Sequence, residues 1–220
     1  MIQTFFNLEI IGAAWRIILA GLGNTVMLSL VVVPLGLAGG LALAMLASVR
    51  NPWVRWPLMA WVDFFRAFPP LVLLILLFAG LPFAGLELGG FACVCIAFFL
   101  NTGAYYGEIL RAGIDSVAAG QTEAARSTGL SYGQTLMHVV LPQALRLTIP
   151  PLTNRTIAIT KGTALGTVVA VSEILGMASS AVSNSYNPSP LILGAGAYLI
   201  LFFPLVVFGR WLETKMAWKH

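Results

Sequence analysis

Charges divide this chain more decisively than any motif does. Residues 17–49, 67–86, 88–107 and 174–209 contain no Asp, Glu, Lys or Arg. Each run can hold the roughly 20 apolar residues with which an α-helix crosses the hydrocarbon of a bilayer. Composition agrees, because 59% of the 220 residues are hydrophobic and only 9% are charged, where soluble domains carry about 25% charged residues. With a mean hydropathy of +0.90, a soluble globular domain is excluded and a polytopic membrane protein is expected.

Catalytic readings have little material to build on. Two His (His138, His220) and two Asp (Asp63, Asp115) leave no basis for a metal centre or an Asp/His-rich intramembrane active site. Cys93 and Cys95 sit in one apolar run and point to different sides of a helix, so they read as core residues and offer neither a disulfide framework nor a zinc spacing. A lipid-modifying transferase would need a nucleophile beside a base. The ionisable groups at depth here are isolated or self-paired.

The expected fold is all-α, one transmembrane domain over 1–220 with five spans at about 20–47, 58–80, 87–110, 160–181 and 191–210. Pro34 is expected to kink the first span. The second is expected to continue as one helix past Asp63 and Arg66, an i,i+3 pair that neutralises itself. Leu81-Pro82 and Gly85 make a tight turn, and the third span carries Asn101 and Tyr105 toward Glu108 and Arg111. Residues 111–155 form the one substantial extramembrane loop. Residues 1–15 lack a positive n-region and a cleavage site, so they read as an interfacial lead-in and not a signal peptide.

Lys and Arg give the orientation. Arg50 and Arg55 fall between spans one and two, Arg111, Arg126, Arg146, Arg155 and Lys161 in or beside the long loop, and Arg210, Lys215 and Lys219 at the C-terminal end. The opposite loops, 81–86 and 182–190, hold neither Lys nor Arg. The long loop and C-terminus are therefore expected in the cytoplasm, with the N-terminus outside. The net charge of +4 follows from topology and gives no reason to invoke nucleic acid.

Within the long loop, Gly120 is expected to end one helix, with Thr122 capping the next and Glu123 in its first turn. Gly129 can then stop that helix in the left-handed region, and Ser131-Tyr132-Gly133-Gln134 has the form of a capping box opening a second helix that Pro142 ends. Two readings stand side by side: an element that docks into a partner's groove by exposed Ala124 and Ala125, or an ordinary amphipathic connector.

These residues also carry a resemblance. Glu123-Ala124-Ala125, three residues, Gly129, nine residues, then Val139-x-Leu141-Pro142 resembles the EAA loop of membrane subunits of bacterial ABC importers. Ala104-Tyr105-Tyr106-Gly107-Glu108, Leu141-Pro142-Gln143-Ala144 and Pro150-Pro151-Leu152-x-Asn154 are similar to the polar amino-acid permease subfamily, the histidine, glutamine, arginine and opine group. The resemblance implies a permease subunit in an inner, cytoplasmic membrane, paired with a second permease, identical or homologous. Two cytoplasmic ATPase subunits would dock on the EAA loops, and an extracytoplasmic binding protein would deliver cargo. Glu123, Ala124, Ala125, Gly129, Leu141 and Pro142 would be the coupling residues. The chain has no G-x-x-x-x-G-K-[ST] loop, so it is not expected to bind ATP in that manner. No cofactor is expected on it, and ATP and Mg would belong to the partner ATPase.

Ionisable or polar residues at membrane depth are candidates for the substrate pathway: Glu173, Lys161, Thr163, Arg66, Asp63, Asn101, Tyr105 and Glu108. Glu173 either receives a substrate amino group or is hydrogen-bonded between helices, and both readings are open. Two departures from the family pattern make the cavity less polar. Lys161-Gly162-Thr163-Ala164-Leu165 stands where the family often has Lys-Asp-Thr-Ser-Leu, and Arg66-Ala67-Phe68-Pro69-Pro70 leads into Leu71-Val72-Leu73-Leu74 where a Gln often follows. A permease for another small solute, a stand-alone channel and a secondary carrier are the alternatives weighed against this reading.

Overall fold

The computed structural model describes residues 2–49 and 51–216. Arg50, Lys219 and His220 lie outside them. After a short turn α1 (Ile2–Phe5), one 40-residue helix α2 (Leu8–Ala47) runs through Pro34 without a break. It starts where it does because the Asn7 side chain accepts from Glu9 N and Ile10 N, which satisfies two of the otherwise unpaired amides of the first turn. The lead-in expected over 1–15 is thus mostly part of the same helix as the first span. At about 60 Å its length exceeds the hydrocarbon thickness, so it must tilt or project.

The second span departs most from expectation. Instead of one helix over 58–80 there are two, α3 (Pro52–Ala67) and α4 (Pro70–Ile75). The α4 segment runs on through a wider turn (Leu76–Gly80) and a tighter one (Leu81–Ala84), and the two arms meet at 94°. The cause is local. Phe68 and Pro69 each precede a proline, and the Pro Cδ pushes the preceding residue into extended backbone, here ψ 125 and 127.

The third span, α5 (Gly90–Asp115), is continuous and lies against α2. Backbone-to-backbone proximity sets this contact: a Cβ on Gly40 would sit 2.5 Å from Tyr106 Cβ, and one on Gly36 would run into Thr102. Small residues on one stripe allow helices to approach this closely in a membrane. Leu28, Val32, Leu74, Val94, Ala97, Phe98, Tyr106 and Ile159 form the core around this seam. Cys93 is buried among them and Cys95 half-buried, both as free thiols.

Helices α6 (Ala119–Ser127) and α7 (Tyr132–Thr135) follow, and α7 passes through a widened turn over Leu136–Val140 into α8 (Leu141–Gly162). Pro142 therefore does not end a helix. It occupies the first turn of α8, where a missing N–H costs nothing. The fourth span starts far earlier than 160, and Arg146, Arg155 and Lys161 ride on it and not in a loop. It too is broken: α8 tightens over Thr163–Val169, and Ala170 turns left-handed at φ 59. The chain restarts as α9 (Ile174–Ser185), 42° off the preceding arm. The last span is α10 (Ser189–Met216). By length and composition, three helices can cross a membrane, five if each bent pair counts as one span. Leu199, Ile200 and Phe203 on α10 face outward at about 70% exposure, as a lipid-facing helix requires.

Candidate functional site

A broken helix inside a membrane frees backbone groups that lipid cannot satisfy, so each break must be capped by its neighbours. At the first break α5 supplies the caps. Asn101 Nδ2 donates to the Phe65 carbonyl at 2.8 Å, and Tyr105 Oη donates to the Arg66 carbonyl at 3.1 Å. Asn101 is in turn held by α8, because Arg155 Nη2 donates to its Oδ1 at 3.1 Å. The Arg155 guanidinium lies flat over Tyr105, 3.4 Å from the ring centroid, and Arg66 lies 5.6 Å from the same ring.

An ion-pair chain extends from this point along α5. Arg66 Nη1 is 3.4 Å from Asp63 and 3.7 Å from Glu108. Glu108 takes a two-pronged contact from Arg111 at 2.8 and 3.0 Å, and Arg111 reaches Asp115 at 2.6 Å. The expected intrahelical pairs are present and are joined across elements. Of the predicted pathway residues, Asp63, Arg66, Asn101, Tyr105 and Glu108 come together here. Arg155 completes the group, and reading 111–155 as a loop missed it. The signal available in the sequence was Pro150-Pro151 followed by a helix-compatible stretch ending in Lys161.

Glu173, Lys161 and Thr163 make their polar contacts elsewhere. Glu173 is fully buried at the second break and is the N-cap of α9, not a mid-helix residue. Its carboxylate accepts from Leu175 N at 3.0 Å, Gly176 N at 2.7 Å, Thr167 Oγ1 at 2.5 Å and Tyr198 Oη at 2.6 Å. The interhelical structural role is the one the geometry supports, and an open acceptor for a substrate amine is not present. Thr163 is buried with its hydroxyl on the Thr160 carbonyl, and Lys161 is exposed with Nζ 5.7 Å from the Phe202 ring.

The loop motif sits at the end of the bundle where α2 stops. Helix α6 begins at Ala119 with Ala118 before it and no side-chain cap, so Gly120 does not end a helix and Thr122 does not cap one. Glu123 and Ala124 are exposed, whereas Ala125 turns inward at 7% exposure. Gly129 has φ +89, a conformation costly for any residue with a Cβ, and it stops α6 as expected. The capping box is formed: Gln134 N donates to Ser131 Oγ at 3.3 Å and Ser131 N to Gln134 Oε1 at 2.8 Å. Tyr132 Oη donates to the Ser48 carbonyl at 2.8 Å, tying the two-helix element to the end of α2. Leu141 is buried under it and Pro142 exposed.

Residues 33–218 match the family of binding-protein-dependent transport system inner membrane components. This chain belongs to that family. It is 34% identical over 98% of its length to the probable amino-acid ABC transporter permease protein YckA of Bacillus subtilis (strain 168), covering 96% of that protein. It is 33% identical over 96% of its length to the probable glutamine ABC transporter permease protein GlnM of the same organism, covering 98% of it. Among solved structures, an amino acid ABC transporter with histidines superposes at TM-score 0.84 with 28% identity, over 91% of this chain and 94% of that one. The chain is accordingly a component of an inner-membrane transport system. The all-α membrane fold expected from the charge spacing is the fold it shares with that neighbour.

Proposed function

We propose that the chain is the membrane permease subunit of an ATP-driven importer of amino acids. The observation that carries this is likeness over nearly the whole chain to permeases named for amino-acid transport, at one-third identity. The permease would pair with a second permease, identical or homologous, and receive cargo from an extracytoplasmic binding protein. Two ATPase subunits would dock on the α6–α7 element, where Glu123 and Ala124 are the exposed contacts and Gly129 sets the bend between the helices. ATP and Mg would be theirs. Ala125 and Leu141, both buried, would hold the element to the bundle, and Pro142 would open α8 beside it, so that displacement of α6 moves the fourth span. Arg55, Arg111 and Arg126 cluster at this end of the bundle, which supports a cytoplasmic α6–α7 and C-terminus with the N-terminus outside. The polar seam of Arg66, Asn101, Tyr105, Glu108 and Arg155 is the proposed substrate pathway.

Intact mass measurement of the complex, extracted from its native membrane through a tag on this chain, tests the arrangement. Two ATPase chains and two permeases are expected. If no ATPase accompanies the chain under conditions that preserve a control importer, the reading fails.

A further inference from the structure

The two cations that flank Tyr105 are not equivalent. Arg66 is neutralised by Asp63 and Glu108. Arg155 faces no carboxylate among the described residues. Its partners are the Asn101 amide oxygen and the Tyr105 ring. A guanidinium has five N–H donors, and the Nε–H is buried without an acceptor in Arg155 and Arg66 alike, so what sets Arg155 apart is the missing carboxylate.

The depth makes this costly. Asn101 and Tyr105, against which Arg155 packs, are the twelfth and sixteenth residues of the 26-residue span α5, so the cation sits near the middle of a helix about 39 Å long. A charge at that depth without a counter-ion is rare and marks a functional group by default. The carboxylates nearby pair with other cations, Asp63 with Arg66 at 3.4 Å from a largely exposed position. Glu108 is engaged by Arg111, and Glu173 is saturated by four donors at the other break. Gly162, about two turns along α8 from Arg155, packs against Phe98, whose ring a Cβ there would meet at 3.0 Å.

We infer that Arg155 is the carboxylate-binding residue of the transport pathway, and that the cargo is an acidic or neutral amino acid and not a basic one. This rests on the amino-acid reading above. A carboxylate arriving in the seam would complete the guanidinium's hydrogen bonding in a site shielded from water, where charge-assisted pairs are strongest. The seam's carboxylates, Asp63 and Glu108, already pair with Arg66 and Arg111, and Arg66 and Arg155 would repel a cationic side chain.

The test uses the full complex with its ATPase and binding protein in proteoliposomes and measures uptake of each of the twenty labelled L-amino acids. The intact complex should carry an acidic or neutral amino acid and leave lysine and arginine outside. Arg155→Met, which keeps the stem over Tyr105 but not the charge, should raise the KM for that cargo at least about ten-fold, the loss expected of one charge-assisted pair. Arg155→Lys, which keeps a cation over Tyr105, should recover part of the affinity, so that loss of charge is read apart from loss of fold. An unchanged KM in Arg155→Met, or uptake of arginine or lysine by the intact complex, overturns the assignment while leaving the amino-acid importer intact. If the intact complex moves none of the twenty, the amino-acid reading falls and the assignment with it.

Discussion

Two of the spans are broken, and they are repaired in different ways. At the break before α9 one residue of the broken strand of chain does most of the work: Glu173 caps two amides of its own helix and takes hydroxyls from Thr167 and Tyr198. Thr25 Oγ1 accepts from Ile174 N, and Asn24 Nδ2 donates to the Ser172 carbonyl. The carboxylate is fully buried. At the break before α4 the caps come from α5, and the cation behind them, Arg155, has no carboxylate partner among the described residues. The first arrangement is a finished joint, and the second leaves a cation without a counter-ion. An ionisable residue at membrane depth is therefore weak evidence of a binding site until its hydrogen bonds have been counted.

The largest effect should come from the sealed break. Glu173→Ala strands two amides and two hydroxyls, and at about 1 to 3 kcal/mol for a buried group left unpaired, the loss should reach about 3 kcal/mol or more. The thermal midpoint in detergent should fall sharply. If it holds within a degree or two, the break is not held by Glu173. Asn101→Leu should cost about 2 kcal/mol by exposing the Phe65 carbonyl and releasing Arg155. Unlike Glu173→Ala it should also lower transport at temperatures where the protein remains folded, since it disturbs the open seam. Equal losses of fold and transport in the two variants would erase the distinction between the breaks.

At the α6–α7 element, Gly129→Ala forces a Cβ into the left-handed region at about 1 to 2 kcal/mol. It should weaken coupling between ATP hydrolysis and uptake more than it weakens the fold, read as a rise in ATP hydrolysed per molecule of cargo. Tyr105→Phe removes only the hydroxyl on the Arg66 carbonyl and keeps the ring under Arg155. A loss of about 1 kcal/mol in chemical unfolding is expected, with uptake nearly unchanged. A large transport defect in Tyr105→Phe would mean that the hydroxyl, and not the cation, is the working group of the seam.

How much of this was legible depended on the range of the interaction. The Gly129 stop and the Ser131/Gln134 capping box were readable because both partners lie within four residues. The pairs Asp63/Arg66 and Glu108/Arg111 were readable for the same reason. The Phe68-Pro69-Pro70 break was written in the chain, yet a count of uncharged residues treats a proline pair inside an apolar run as helix. Arg155 was misplaced because 111–155 is polar enough to pass for a loop. Only part of that polarity is taken up by the bundle, Arg155 on α5 and Tyr132 at the end of α2.

The sequence alone determined that the chain is a five-span membrane protein with a basic end carrying a short two-helix element, because charge spacing and capping act over a few residues and lipid punishes violations heavily. Only the tertiary structure decided which polar residues at depth are occupied and which is free. Glu173 and Arg155 look alike as isolated charges in a string of letters. They differ in the partners that α2, α5 and α10 bring from 25 to 150 residues away.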